Sequence, residues 1–177
     1  LKDATGVRRA FLTLVPREHR SEADTVIGKI STSLSDFVRG QLKLCLAMFL
    51  LTWLTMQFIV QLPNALVFGL IAGVTEFIPY LGPILALIGP LFFAMTISWT
   101  KVIVVLITFV ILQLIEGNLL APKIIGNDVD IHPAVLMFAL MAGGQVGGIA
   151  GMIVAIPVAV IVKTLFTHFY LDRMENR

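Results

Sequence analysis

Apolar residues in this chain come in long blocks separated by short polar breaks. That pattern predicts an all-α, polytopic membrane protein with interrupted or re-entrant helical hairpins. Residues 1–43 are the polar exception and hold most of the lysines and arginines. Within them Ser21 and Asp24 have capping-box spacing, with Asp in place of the stronger Glu or Gln. Val26, Ile30, Leu34, Phe37 and Gln41 then mark one face at helical spacing, with Lys29, Asp36 and Arg39 elsewhere. This reads as an amphipathic helix lying on the membrane surface or on a neighbouring subunit. A soluble helix joining two membrane parts fits the same pattern. Leu44 to Leu62 carry no charge and meet the requirement of roughly 20 residues for one crossing. Pro63-Asn64 ends that block.

The stretch from Ala65 to Thr100 is long and apolar, yet broken by Glu76-Phe77-Ile78-Pro79-Tyr80-Leu81-Gly82-Pro83. Freed backbone groups and a carboxylate at bilayer depth have no water to meet. Such a break persists where protein or a water-filled cavity surrounds it, so it points to a transport path. At about 1.5 Å per residue, Ala65–Thr75 is too short to cross, whereas Leu81–Thr100 nearly does so. After Lys101, Val102–Ile115 is apolar again and closes on Glu116-Gly117-Asn118. The loop Pro122–His132 is the most polar interior stretch. Pro133–Tyr170 is apolar but interrupted by Gly143-Gly144-Gln145-Val146-Gly147-Gly148 and by Pro157. As one straight helix it would overrun a bilayer core of about 30 Å, so it must fold back or break. The expected organisation is an interfacial or cytoplasmic arm over 1–43, a transmembrane transport domain over 44–170 and a cytoplasmic tail over 171–177.

Composition strengthens the membrane reading. The chain is 58% apolar and 14% charged, against about 45–50% and about 25% in soluble domains. A formal charge of +2 is too small to argue for nucleic acid as a partner. Cys45 is the single cysteine, which leaves no disulfide within the chain and no cysteine cluster. The chain opens on Leu1 and has no signal-peptide pattern before residue 44, so it reads as the C-terminal part of something longer. The positive-inside rule places residues 1–43 and the tail, with Arg173 and Arg177, in the cytoplasm. Both ends inside requires an even number of net crossings. Residues 44–62 then go out, the broken segment dips in and returns, 102–120 comes back, and the last segment enters from inside and returns. Two broken hairpins entering from opposite faces are the pattern of an inverted-topology carrier. The alternative, full crossing by each half of a hairpin, changes the count and leaves the breaks.

Glu76 and Glu116 are the two acids within or bordering apolar runs. A carboxylate there is paired, protonated or bound to a cation. Carbonyls freed near Pro79 and Pro83 add oxygen ligands for Na⁺. The plainer readings are that Glu76 ends a helix at the interface or pairs with Lys101, Lys123 or Lys163, and that Glu116 is structural at the membrane surface. The glycine run suits a hairpin tip or gate, or simply close helix packing in lipid. Gln145 is the one side chain there able to bind a polar solute. Pro90 and Pro157 read as kinks. Asp128, Asp130 and His132 have no fourth ligand at a typical spacing and read as a solvated turn, with His132 capping the helix that Pro133 begins. Trp53 and Trp99 fall near expected membrane edges. No phosphate loop, His-Glu metalloprotease motif or nucleophile elbow occurs, so neither an enzyme nor a cofactor or metal site is expected.

Five short motifs occur in order across residues 39–163. They are Arg39-Gly40-Gln41, Glu76 to Pro83, Glu116-Gly117-Asn118 with Pro122 to Gly126, His132-Pro133, and the glycine run leading to Pro157. In this the chain resembles the autoinducer-2 exporter family of bacterial and archaeal permease-like proteins. The resemblance implies a multi-pass protein of a prokaryotic cell membrane, a homo-oligomer, and a chain about half the usual family length. It also implies either export of the quorum-sensing furanone or Na⁺(Li⁺)/H⁺ antiport. The expectation is a secondary transporter moving a small solute or cation. Its path would comprise Glu76, Pro79, Tyr80, Gly82, Pro83, Glu116, Asn118 and Gln145, with Gly143, Gly144, Gly147 and Gly148 as gate or hairpin tip. Glu76 would carry the proton or cation. The alternatives are export of a small polar signal, with Gln145, Asn118 and Tyr80 as hydrogen-bonding groups and Glu76 structural, and a non-transporting membrane scaffold.

Overall fold

A computed structural model describes residues 20–124 and 132–167 of the chain. Every described element is helical: α1 (Arg20–Leu54) with a π-helical extension (Thr55–Val60), α2 (Ala65–Thr75), α3 (Leu81–Met95), α4 (Trp99–Ile115) with a second π-helical stretch (Glu116–Leu120), α5 (Ala121–Ile124) and α6 (Pro133–Phe166). The chain divides into two compact units, Phe37–Asp130, and Leu1–Asp36 with Ile131–Arg177. The stretches Ala23–Val60 and Trp99–Ile124 are long and apolar enough to cross a membrane. Expectations for residues 1–19, for Asp128 and Asp130 and for the tail lie outside the described residues.

In the unit that starts at Phe37, the buried face of α1 runs through Phe37, Gln41, Leu44, Met48 and Thr52, a helical spacing that continues the face expected for the arm. No break separates arm from span at residue 43, and α1 ends only after its π turn. There Gln61 adopts φ 56°, and the Leu62 N–H bonds Met56 O at 2.9 Å. Lys101 Nζ donates to Val60 O at this end, so it does not serve as the partner of a buried acid. Against α1 lies α2. A Cβ on Gly69 would come within 2.7 Å of Trp53 Cβ, and one on Gly73 within 2.7 Å of Phe49 Cβ. Two glycines four residues apart thus let the backbones approach, as small residues do between membrane helices. Trp53 is held in this contact, stacked on Phe49 with ring centroids 6.1 Å apart, whereas Trp99 is largely exposed.

α2 and α3 form a helical hairpin. Gly82, Ala86, Pro90 and Ala94 make the buried stripe of α3, and Phe68 meets Phe93 edge to face at 5.8 Å. The expected limit of this segment at Thr100 moves. α3 stops at Met95, and Ser98 Oγ caps α4 by accepting from the Lys101 N–H at 3.3 Å. Residues on both sides of the loop, among them Met56, Phe68, Ala94 and Val105, share one apolar core.

In the other unit, His132 caps α6, its Nδ1 accepting from the Ala134 N–H at 3.3 Å, and Pro133 opens the helix. α6 is not one straight rod. Gly147 (φ −137°, ψ 16°) and Gly148 (φ 58°, ψ −140°) leave helical geometry. A Cβ on Gly143 would lie 2.7 Å from Ala155 Cβ, and one on Gly144 2.6 Å from Met152 Cε. In a straight helix residues 143 and 155 would stand roughly 18 Å apart. The chain therefore folds back into a second helical hairpin, as its length requires.

Candidate functional site

The turn between α2 and α3 is built by residues that cannot continue a helix. Pro79 has no N–H, and Tyr80 adopts φ 66°, so the fifth residue from Glu76 does not return a helical bond to its carbonyl. The turn closes instead through the Leu81 N–H to Pro79 O and the Gly82 N–H to Ile78 O, both at 2.8 Å. Gly82 is required by close approach, since a Cβ there would fall 2.8 Å from Glu76 Cα. The released carbonyl of Glu76 accepts from Gln41 Nε2 of α1 at 2.6 Å. Both residues are almost wholly buried, Gln41 at 0% and Glu76 at 1% exposure.

Glu116 is the second surprise of position. The sequence places it at the membrane surface as the end of a helix. In the structure the helix runs on through the π-helical stretch into α5, with the Asn118 amide bonding Leu114 O at 2.9 Å. Glu116 therefore lies inside a continuous span, 9% exposed, and its carboxyl group comes within hydrogen-bonding reach of that of Glu76. Gln113 Nε2 donates to Glu116 Oε2 at 3.2 Å from the preceding turn. Cys45, one turn along α1 from Gln41, borders the same cluster. Gln41 Oε1 and Glu76 Oε1 are buried acceptors without a donor among the described residues.

Two carboxyl groups can hydrogen-bond each other only through a proton, and a small cation is the other species that holds them together. The cluster has the donor and acceptor chemistry to bind either, or to exchange hydrogen bonds with a hydroxyl-bearing solute. Beside it a groove of about 200 Å³ between α3 and α4 is lined by Pro83, Leu87, Phe109 and Gln113, among others.

The structure thus joins Glu76 and Glu116 and sets Pro79, Tyr80, Gly82 and Pro83 at or next to the turn beside them. Asn118 spends its amide on the helix and is exposed. Gln145 is exposed on the first arm of the second hairpin, in the other unit. The four glycines separate by role: Gly143 and Gly144 form the contact between the arms, and Gly147 and Gly148 make the bend. Sequence reading passes over Gln113, and it picks out Gln41 on a helix face and in a motif without placing it in the site. Their signal is faint, a lone amide on an apolar face in each case.

The model of the AI-2E family transporter matches residues 1–171. The chain is 40% identical to YrrI of Bacillus subtilis over 99% of its own length and 50% of that protein. It is 34% identical to YueF of the same organism, over 95% of this chain and 45% of that one. With the AI-2 transport protein TqsA of Escherichia coli it shares 31% identity over 56% of this chain and 29% of that one. The chain spans about half the length of the curated relatives it matches most fully. Motifs, two helical hairpins and family match agree: this is a multi-pass membrane protein of the prokaryotic plasma membrane, and the chain belongs to the AI-2E transporter family.

Proposed function

We propose that the protein exports a small, uncharged polar solute of the AI-2 type, with Glu76 and Glu116 as a polar station on its path. The observation that carries this reading is the buried carboxyl pair at the tip of a hairpin, flanked by the amides of Gln41 and Gln113. Such a cluster is costly in an apolar setting and has no evident packing purpose. A solute with hydroxyl groups would exchange hydrogen bonds with these acceptors and amides, and the likeness to TqsA supplies AI-2 as the candidate. A second reading, Na⁺(Li⁺)/H⁺ exchange with Glu76 carrying the ion, is favoured by the two buried oxygens without donors. Lone pairs of that kind suit a proton or Na⁺.

One experiment separates these readings: full-length protein in proteoliposomes, assayed for AI-2 efflux and for Na⁺-driven proton movement, with and without Glu76→Gln. AI-2 efflux that falls about tenfold in the variant is expected, the effect of losing roughly 1.4 kcal/mol of interaction. Unchanged AI-2 efflux would remove the pair from the solute path. Proton movement abolished by the substitution, without AI-2 flux, would establish ion exchange instead. Absence of both fluxes from intact oligomers would favour a scaffold.

A further inference from the structure

We propose that Gln41 is a positioning residue: its amide holds the Glu76 backbone, and through it the Glu76 carboxyl, against Glu116. The inference builds on the role proposed above for that pair, but its geometry stands separately. The Glu76 carbonyl is the group released where α2 breaks, because Tyr80 at φ 66° does not return a helical N–H to it. The next donors along the turn are committed to Pro79 O and Ile78 O. Gln41 Nε2 fills the vacancy at 2.6 Å, from a helix 35 residues away in sequence.

Burial makes the contact specific. Gln41 is 0% exposed and sits on the face of α1 between Phe37 and Leu44, both buried. A buried carbonyl that loses its donor has no solvent to replace it. Few side chains could substitute. Leu fills the volume without a donor, Asn is one methylene shorter, and an ionised Glu would set an acceptor against an acceptor. The titratable groups around the tip are Cys45 on α1, Glu76 on the turn and Glu116 on the continuation of α4. The hairpin tip is thus tied to α1 by one backbone contact and to α4 by one side-chain contact, and Glu76 belongs to both.

The test uses full-length protein in proteoliposomes with two readouts, amide hydrogen exchange over residues 77–82 and AI-2 efflux against pH. Gln41→Leu is expected to speed exchange by about tenfold or more, and Leu42→Ala, on the exposed side of the same turn, to leave it unchanged. Gln41→Glu is the sharper variant, because its carboxyl donates a hydrogen bond only when protonated. Burial beside Glu76 and Glu116 favours the protonated form, so relative to the parent at each pH its exchange and efflux should be near normal in acid and at neutral pH and defective in base. Unchanged exchange in Gln41→Leu, or a Gln41→Glu variant as defective in acid as Gln41→Leu, would overturn the inference. If Gln41→Leu does not fold, the Glu variant decides alone. Should Glu76→Gln transport like the parent while the exchange results hold, the proposed function falls and the positioning role stands.

Discussion

Around Glu76 the smallest residues do the most to fix geometry. A methyl group on Gly82 would meet backbone, with Glu76 Cα only 2.8 Å away, and backbone cannot rotate aside as a side chain can. Gly82→Ala is therefore expected to destabilise the protein by about 1–3 kcal/mol, the usual effect of overpacking, and to shift the acid it abuts. Gly117 offers a matched control, since a Cβ there meets nothing within 4 Å and helix propensity favours Ala. Unfolding of the two variants in the same detergent checks this, and equal midpoints would contradict the close approach. The reason for Gly82 is hidden from sequence, which shows a glycine between a leucine and a proline. What it packs against comes from the other side of the hairpin turn.

At the scale of elements, breaks that remove donors are legible and continuations are not. Pro79 and Pro83 withdraw two N–H groups within five residues, and the split into α2 and α3 follows. Gly147 and Gly148 likewise announce a bend in a block too long for one crossing. Glu116-Gly117-Asn118 reads as a stop by the same logic. Yet a π-helical register accommodates it, and Asn118 bonds back to Leu114 O instead of capping an end. Pairing between Glu76 and Glu116 depends on how α2, α3 and α4 pack together, and no local pattern carries it. The second hairpin makes its own prediction. Cysteines replacing Gly144 and Met152, in a Cys45→Ser background of the full-length protein without other cysteines, should oxidise to an intramolecular disulfide. A Cβ on Gly144 would lie 3.4 Å from Met152 Cγ, which puts the two Cβ positions within disulfide reach, whereas a straight helix would hold the residues roughly 12 Å apart. Protection of both thiols from alkylation after oxidation reads the result, and two free thiols would mean that α6 does not fold back.

For the unit Phe37–Asp130, connectivity and length set the depth of the carboxyl pair in the membrane. α1 ends at Val60 beside the start of α4, where Lys101 holds the Val60 carbonyl, so these two ends share one side. From Trp99 the helix runs to Ile124 without interruption, 26 residues in all, or about 39 Å at about 1.5 Å per residue. Glu116 then lies roughly 26 Å from the Trp99 end and about 12 Å from the Ile124 end. Because Glu76 meets Glu116, the tip of the first hairpin must reach to the same depth, through most of a bilayer core of about 30 Å. Helices of 11 and 15 residues would achieve this as a re-entrant pair. In the same cysteine-free background, single cysteines at Thr100 and Lys123 should react with impermeant maleimide from opposite sides of oriented vesicles. Lys101 itself is unsuitable for labelling because its ammonium holds the end of α1. A cysteine at the half-exposed Tyr80 should react from the Lys123 side. The positive-inside expectation assigns that side to the cytoplasm, which would put the pair where a solute leaving the cell first meets the protein. Labelling of Tyr80→Cys from the Thr100 side would mean that the hairpin does not reach Glu116 in the bilayer, and the proposed station would lose its second carboxyl group.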